Sequence, residues 1–82
     1  MITSSQIRAA RGALRWTSTE LAKAAGINVR TILRIEAGEG VPSSTTATVE
    51  KIRRAIEEAG VEFIGTPEDR PGIRFAVPPQ GK

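Results

Sequence analysis

The chain has 82 residues, 39% of them hydrophobic and 26% charged, and a net charge of +3 from twelve Lys or Arg against nine Asp or Glu. One soluble domain fits these proportions, and a domain this small buries only about 60% of its unfolded surface, so partner subunits are a natural expectation. With no Cys and no His, disulfides, thiolate metal sites, cysteine nucleophiles and imidazole bases are excluded, and no apolar run approaches the roughly 18 residues of a membrane span.

The first periodic segment runs from about Ser5 to Leu14. Ile7, Ala10 and Leu14 recur at helical spacing and leave Arg8, Arg11 and Arg15 on other faces. Ser4 or Ser5 is the expected cap. Met1 to Arg15 holds those three arginines and no acid, while the rest of the chain is balanced. The whole positive excess therefore falls on this first element, as a solvated face or one that attracts polyanions.

A second helix begins at Thr17 or Ser18. Thr17 with Glu20 three residues on is a capping box: hydroxyl to backbone amide, carboxylate back to the cap. Leu21, Ala22 and Ala25 form its buried face, and Gly26 ends it. A third helix starts after Asn28, a good cap, with Ile32 and Ile35 inward and Arg30, Thr31 and Arg34 elsewhere. Trp16 reads as a core or helix-junction residue, since large aromatics dominate buried packing. Gly38, Gly40 and Pro42 break the pattern.

A fourth helix runs from Thr45 or Thr46 to Ala59, with Val49, Ile52 and Ile56 as its apolar stripe. Glu50 with Arg53 or Arg54, and Lys51 with Glu58, decorate its outside; Gly60 stops it. The period then changes. Val61 and Phe63 alternate with Glu62, and Ile73, Phe75 and Val77 with Arg74 and Ala76. These are two short strands around a turn-rich Thr66 to Gly72, with Glu62 facing Arg74 across the pair. Residues 78–82 read as a flexible tail.

From Ser18 to Ile35 the pattern is helix, tight turn, helix. Ala22 is small where the second helix crosses closely. Gly26 supplies a positive φ at the turn. Leu21, Ala25, Ile27, Ile32 and Ile35 lock the two helices together. The segment W-T-S-T-E-L-A-K-A-A-G-I-N-V-R-T-I-L-R-I-E-A-G, Trp16 to Gly38, resembles the lambda-repressor-like, or Cro-type, helix-turn-helix regulators, also called the xenobiotic-response-element family. The resemblance covers about Thr3 to Ala59. It implies a mainly α fold: a four-helix bundle, here over residues 1–60, with a short C-terminal β-hairpin over residues 61–77. Small bacterial and phage-related regulators of the family sometimes carry such a tail.

The resemblance also implies double-stranded DNA as partner. Asn28, Val29, Arg30, Thr31 and Arg34 fall where the family faces base edges. Arg30 and Arg34 suit guanine, whose O6 and N7 match the guanidinium fork, and Val29 suits a thymine methyl. Thr17, Ser18 and Thr19, at a helix start with free amides, are candidate phosphate contacts. Ser18 stands where many relatives have a longer-reaching Gln. Ser43, Ser44, Thr45 and Thr46 are candidate positioning contacts to the second strand. Glu36 matches a position of structural polar contact.

An isolated two-stranded hairpin is marginal in water. Val61, Phe63, Ile73, Phe75 and Val77 therefore need cover, from the chain's own helices or from the same strands of a second subunit. The second reading is preferred here, as a homodimer interface that would set two reading helices on a palindromic operator. The expected protein is a dimeric, cytoplasmic, nucleoid-associated repressor. The alternative is an antitoxin or anti-activator-type interaction module, whose terminal strands bind a different protein. No cofactor, metal or membrane is called for. Adjacent carboxylates such as Glu57 and Glu58, or Glu68 and Asp69, come with no nucleophile setting, so catalysis is not expected.

Overall fold

The computed structural model describes residues 1–76, so Val77 and the expected tail lie outside the described residues. Helix α1 (Ser4–Ala13) is capped by Thr3 rather than by Ser4 or Ser5. Thr3 Oγ1 accepts from the Gln6 amide at 3.1 Å, and Gln6 Oε1 accepts from the Thr3 amide at 2.8 Å. Of the three adjacent hydroxyl residues only Thr3 has a glutamine three positions on, so only Thr3 satisfies two free amides at once. Ser4 is displaced into the first turn, 1% exposed, with its hydroxyl unpartnered among the described residues.

Helix α1 ends in a Schellman-type turn. Arg15 adopts φ 59, its amide bonds Gly12 O, and the Trp16 amide reaches back to Arg11 O. Arg15, expected on a helix face, thus lies past the helix in the left-handed region. Helices α2 (Ser18–Ala25) and α3 (Val29–Ala37) follow the expected pattern. Thr17 and Glu20 form the capping box, Gly26 turns with φ 70, and Asn28 caps α3. Helix α4 (Thr46–Glu58) is capped by Thr45. Arg53 on α4 bonds both Glu50 and Glu57. Lys51 and Glu58 are separated by two turns, roughly 10 Å of helix rise, and form no ion pair among the described residues.

Ile7, Leu21, Ile32, Ile52, Ile56 and Val61 are fully buried, joined by Ile2, Ala10, Ala22 and Ile35. Each helix contributes its predicted apolar stripe, and Trp16 packs at the edge of this core. The tail forms an antiparallel hairpin of β1 (Val61–Thr66) and β2 (Asp69–Phe75). Both strands are longer than expected, and Pro67 and Glu68 alone make the turn. A bulge between Ile64 and Thr66 places Gly65 at φ 77, where a Cβ would stand 2.2 Å from Arg70 O. Only glycine fits there.

The hairpin folds onto its own helices, β2 against α1 and β1 against α4. Val61 is completely buried, and Phe63 and Ile73 pack against the same core. The apolar face thus has the first of its two possible covers, the chain's own helices. Of the described residues expected to meet a second subunit, Phe75 alone stays largely exposed, at 53%. Gln6 fixes the join: its Nε2 donates to Ile64 O at 3.0 Å and to Gly72 O at 2.9 Å. One side chain therefore caps α1 and spans both strands.

Candidate nucleic-acid interface

Helix α3 is held by its inner face and free on its outer one. Ile32 and Ile35 anchor it in the core. At its C-terminal end, Arg11 Nε donates to both carboxylate oxygens of Glu36, at 2.8 and 3.0 Å, and Arg11 Nη1 donates to Trp16 O at 2.9 Å. The Arg8 guanidinium donates to Glu36 O, to Gly38 O at 3.1 Å and to Ser5 Oγ at 2.9 Å. Both arginines of α1 thus tie α3 to α1. Arg8 satisfies a carbonyl that the end of α3 leaves open.

In the sequence Arg8 and Arg11 read as part of a solvated or polyanion-attracting face. Their partners at the end of α3, Glu36 and Gly38, lie 25 to 30 residues away, beyond any local periodicity. Arg15, the third arginine of the N-terminal segment, is exposed and makes no side-chain hydrogen bond among the described residues. The pairing also sets the charge of α3. Glu36 is buried and neutralised by Arg11, so the exposed Arg30 and Arg34 carry the outer face without an opposing acid on the helix.

The predicted base-facing residues occupy this surface in different states. Asn28, Arg30 and Arg34 are exposed; Val29 and Thr31 are half-buried. Asn28 Oδ1 accepts from the Arg30 amide at 2.7 Å, so its oxygen serves as the helix cap and its amide nitrogen is the group left for a ligand. Arg30 makes no side-chain hydrogen bond among the described residues. Arg34 Nη2 donates to Ser44 Oγ at 3.4 Å. Leu33, to which no sequence pattern assigns a role, is 53% exposed between them.

The predicted phosphate-facing residues divide in the same way. Thr17 Oγ1 accepts from the Glu20 amide at 3.0 Å and Glu20 Oε1 from the Thr17 amide at 2.7 Å. The amides of Ser18 and Thr19 open the helix with no partner within it. Ser43 and Ser44 line a shallow cleft of about 240 Å³ together with Ser4, Arg34 and Gly38. Thr45 Oγ1 is committed on both sides, accepting from the Thr48 amide at 3.2 Å and donating to Thr48 Oγ1 at 2.9 Å. Thr46 is exposed in the first turn of α4.

A helix anchored along its inner face and at its C-terminal end, with a cationic, solvated outer face and a neighbouring helix start with free amides, is suited to docking on a polyanionic duplex. No helix among the described residues is long and apolar enough to cross a membrane. A comparison with curated proteins found no match. A helix-turn-helix family model matches residues 7–57, more than half the chain and all of the segment from α2 to α3. The chain belongs to the lambda-repressor-like helix-turn-helix family of DNA-binding regulators.

Proposed function

We propose that the protein is a sequence-specific transcriptional regulator that lays α3 in the major groove of a palindromic operator and represses by blocking access to it. The observation that carries this is the outer face of α3, where Arg30 and Arg34 are exposed and the one acid of the helix is turned inward onto Arg11. Arg30 and Arg34 pair with guanines, Val29 meets a thymine methyl, and Thr31 and the Asn28 amide add polar contacts. Thr17, Ser18 and Thr19 hold one phosphate strand, and Ser43, Ser44 and Thr46 the other.

The working unit is a homodimer. Because the apolar face of the hairpin already covers its own core, the second copy meets the free strand edges and Phe75. The two reading helices then lie about 34 Å apart, one turn of DNA. Action on a chromosome places the protein in the cytoplasm, at the nucleoid.

The test is selection of binding sites from random duplexes, repeated with Arg30→Ala and Arg34→Ala. The wild type should enrich a two-fold symmetric motif. Each variant should lose preference at defined bases, by roughly 1–3 kcal/mol per lost bidentate contact. Failure of the wild type to enrich any motif overturns specific reading. Uniform weakening in both variants reassigns the two arginines to phosphate.

A further inference from the structure

Leu33 is a large aliphatic side chain left 53% exposed in the middle of α3, and it takes no part in the core. On a helix it neighbours Val29 one turn before, Ala37 one turn after, and Arg30 at the intermediate spacing. Ala37 and Arg30 are exposed as well. The surface around Leu33 is therefore an apolar strip, Val29, Leu33 and Ala37, bordered by Arg30 and Arg34, while the acid at the remaining neighbouring position, Glu36, is buried against Arg11. An arginine-flanked strip does not suit an acid-free, apolar protein partner, but it suits a polyanion that presents small apolar groups. The major groove does so through one group, the C5 methyl of a pyrimidine.

On the proposed docking of α3 in the major groove, we infer that Leu33 is a specificity-determining residue that packs on a pyrimidine C5 methyl beside the base read by Arg30. The inference rests on the proposal that α3 reads sequence. It adds a methyl contact that neither the helix-turn-helix framework nor the arginines require. In free protein the leucine pays a solvation cost, and a matching methyl removes it.

Deoxyuridine substitution tests this, because it deletes the methyl and keeps every hydrogen-bonding edge. In a duplex carrying the selected site, each thymine is replaced in turn, and affinity is measured for wild type, Leu33→Ala and Val29→Ala. One replacement, at a thymine other than the one that meets Val29, should weaken the wild type by about 3- to 5-fold, the scale of one buried methyl. Leu33→Ala should be weakened to a similar degree on the thymine duplex and be indifferent to that same replacement. Val29→Ala should remain sensitive to it. At that position 5-methylcytosine should bind better than cytosine if the methyl alone is read, and no better if thymine O4 is also required. Leu33 is exposed, so the variant should unfold at the wild-type denaturant midpoint.

The inference is overturned if Leu33→Ala keeps full sensitivity to every replacement. It is also overturned if the variant binds all duplexes like the wild type, or if its only defect is dissociation of the dimer. A wild type that selects no sequence fails the parent proposal along with this one. A wild type that selects a motif but ignores every deoxyuridine fails this inference and the Val29 methyl contact with it, and leaves reading by Arg30 and Arg34 standing.

Discussion

Arg11 Nε lies 2.8 Å from Oε2 of Glu36, and the two side chains are unequally buried, 26% and 8% exposed. That inequality predicts an asymmetric pair of variants. Arg11→Ala strands a carboxylate inside the protein, and this should cost about 3 kcal/mol. Glu36→Ala leaves an arginine that can turn toward water, and should cost nearer 1–2 kcal/mol. Urea denaturation of both variants reads the order directly. Equal losses, or a larger loss for Glu36→Ala, would show that the pair is not the tie described.

The local half of the architecture was legible in the sequence. Thr17, Glu20, Gly26 and Asn28 each act within three residues of the backbone they satisfy, so spacing alone exposes them. The long-range half was not. Arg8 and Arg11 resemble any solvated arginines until α3 is placed beside α1. Gln6 shows the boundary well. Its part in the Thr3 capping box was readable from T-S-S-Q, although three adjacent hydroxyl residues obscured which one caps. Its bonds to Ile64 O and Gly72 O follow only from where the hairpin docks. For the same reason the apolar alternation of the strands was visible, but the choice of what covers it was not. At the candidate interface, sequence picked out the arginines by chemistry and passed over Leu33, because exposure of a leucine is not a sequence property.

Arg15 carries a cost that glycine would not. Its φ of 59 lies in the left-handed region, where a side chain costs roughly 1–2 kcal/mol. Arg15→Gly should therefore stabilise the fold by up to about 1 kcal/mol, less than the full strain because glycine loses more entropy on folding. Thermal denaturation should show a higher midpoint. At low salt the same variant should bind DNA no better than the wild type, since it removes a free positive charge. A lower midpoint would mean that the arginine makes a compensating contact.

The hairpin residues separate a structural role from an assembly role. Val61 is fully buried within its own chain, so Val61→Ala should cost about 2 kcal/mol of stability. Phe75, at 53% exposed, should tolerate Phe75→Ser with less than about 0.5 kcal/mol lost, as other surface changes do. If the dimer forms through this edge, Phe75→Ser should instead shift sedimentation toward the monomer and reduce binding to paired half-sites more than to a single one. A Phe75→Ser protein that stays dimeric, or a wild type that is monomeric at high concentration, removes the hairpin from the assembly.

Glu20 places a carboxylate at the start of α2, where its Oε1 accepts from the Thr17 amide at 2.7 Å. In the free protein this is favourable, because the helix start carries partial positive charge. With a phosphate docked on the free amides of Ser18 and Thr19, the same carboxylate is a like charge nearby. Glu20→Gln keeps the capping box, since glutamine reaches the cap equally well, and removes that repulsion. Stability should fall slightly, by about 0.3–1 kcal/mol. Affinity should rise for every duplex alike, on the order of 2- to 5-fold at low ionic strength, and the gain should shrink as salt screens it. Titration of a selected and a scrambled duplex at two salt concentrations measures both effects. Unchanged affinity on both duplexes would mean that no phosphate sits at the start of α2, and a gain confined to the selected sequence would place Glu20 near a base rather than the backbone.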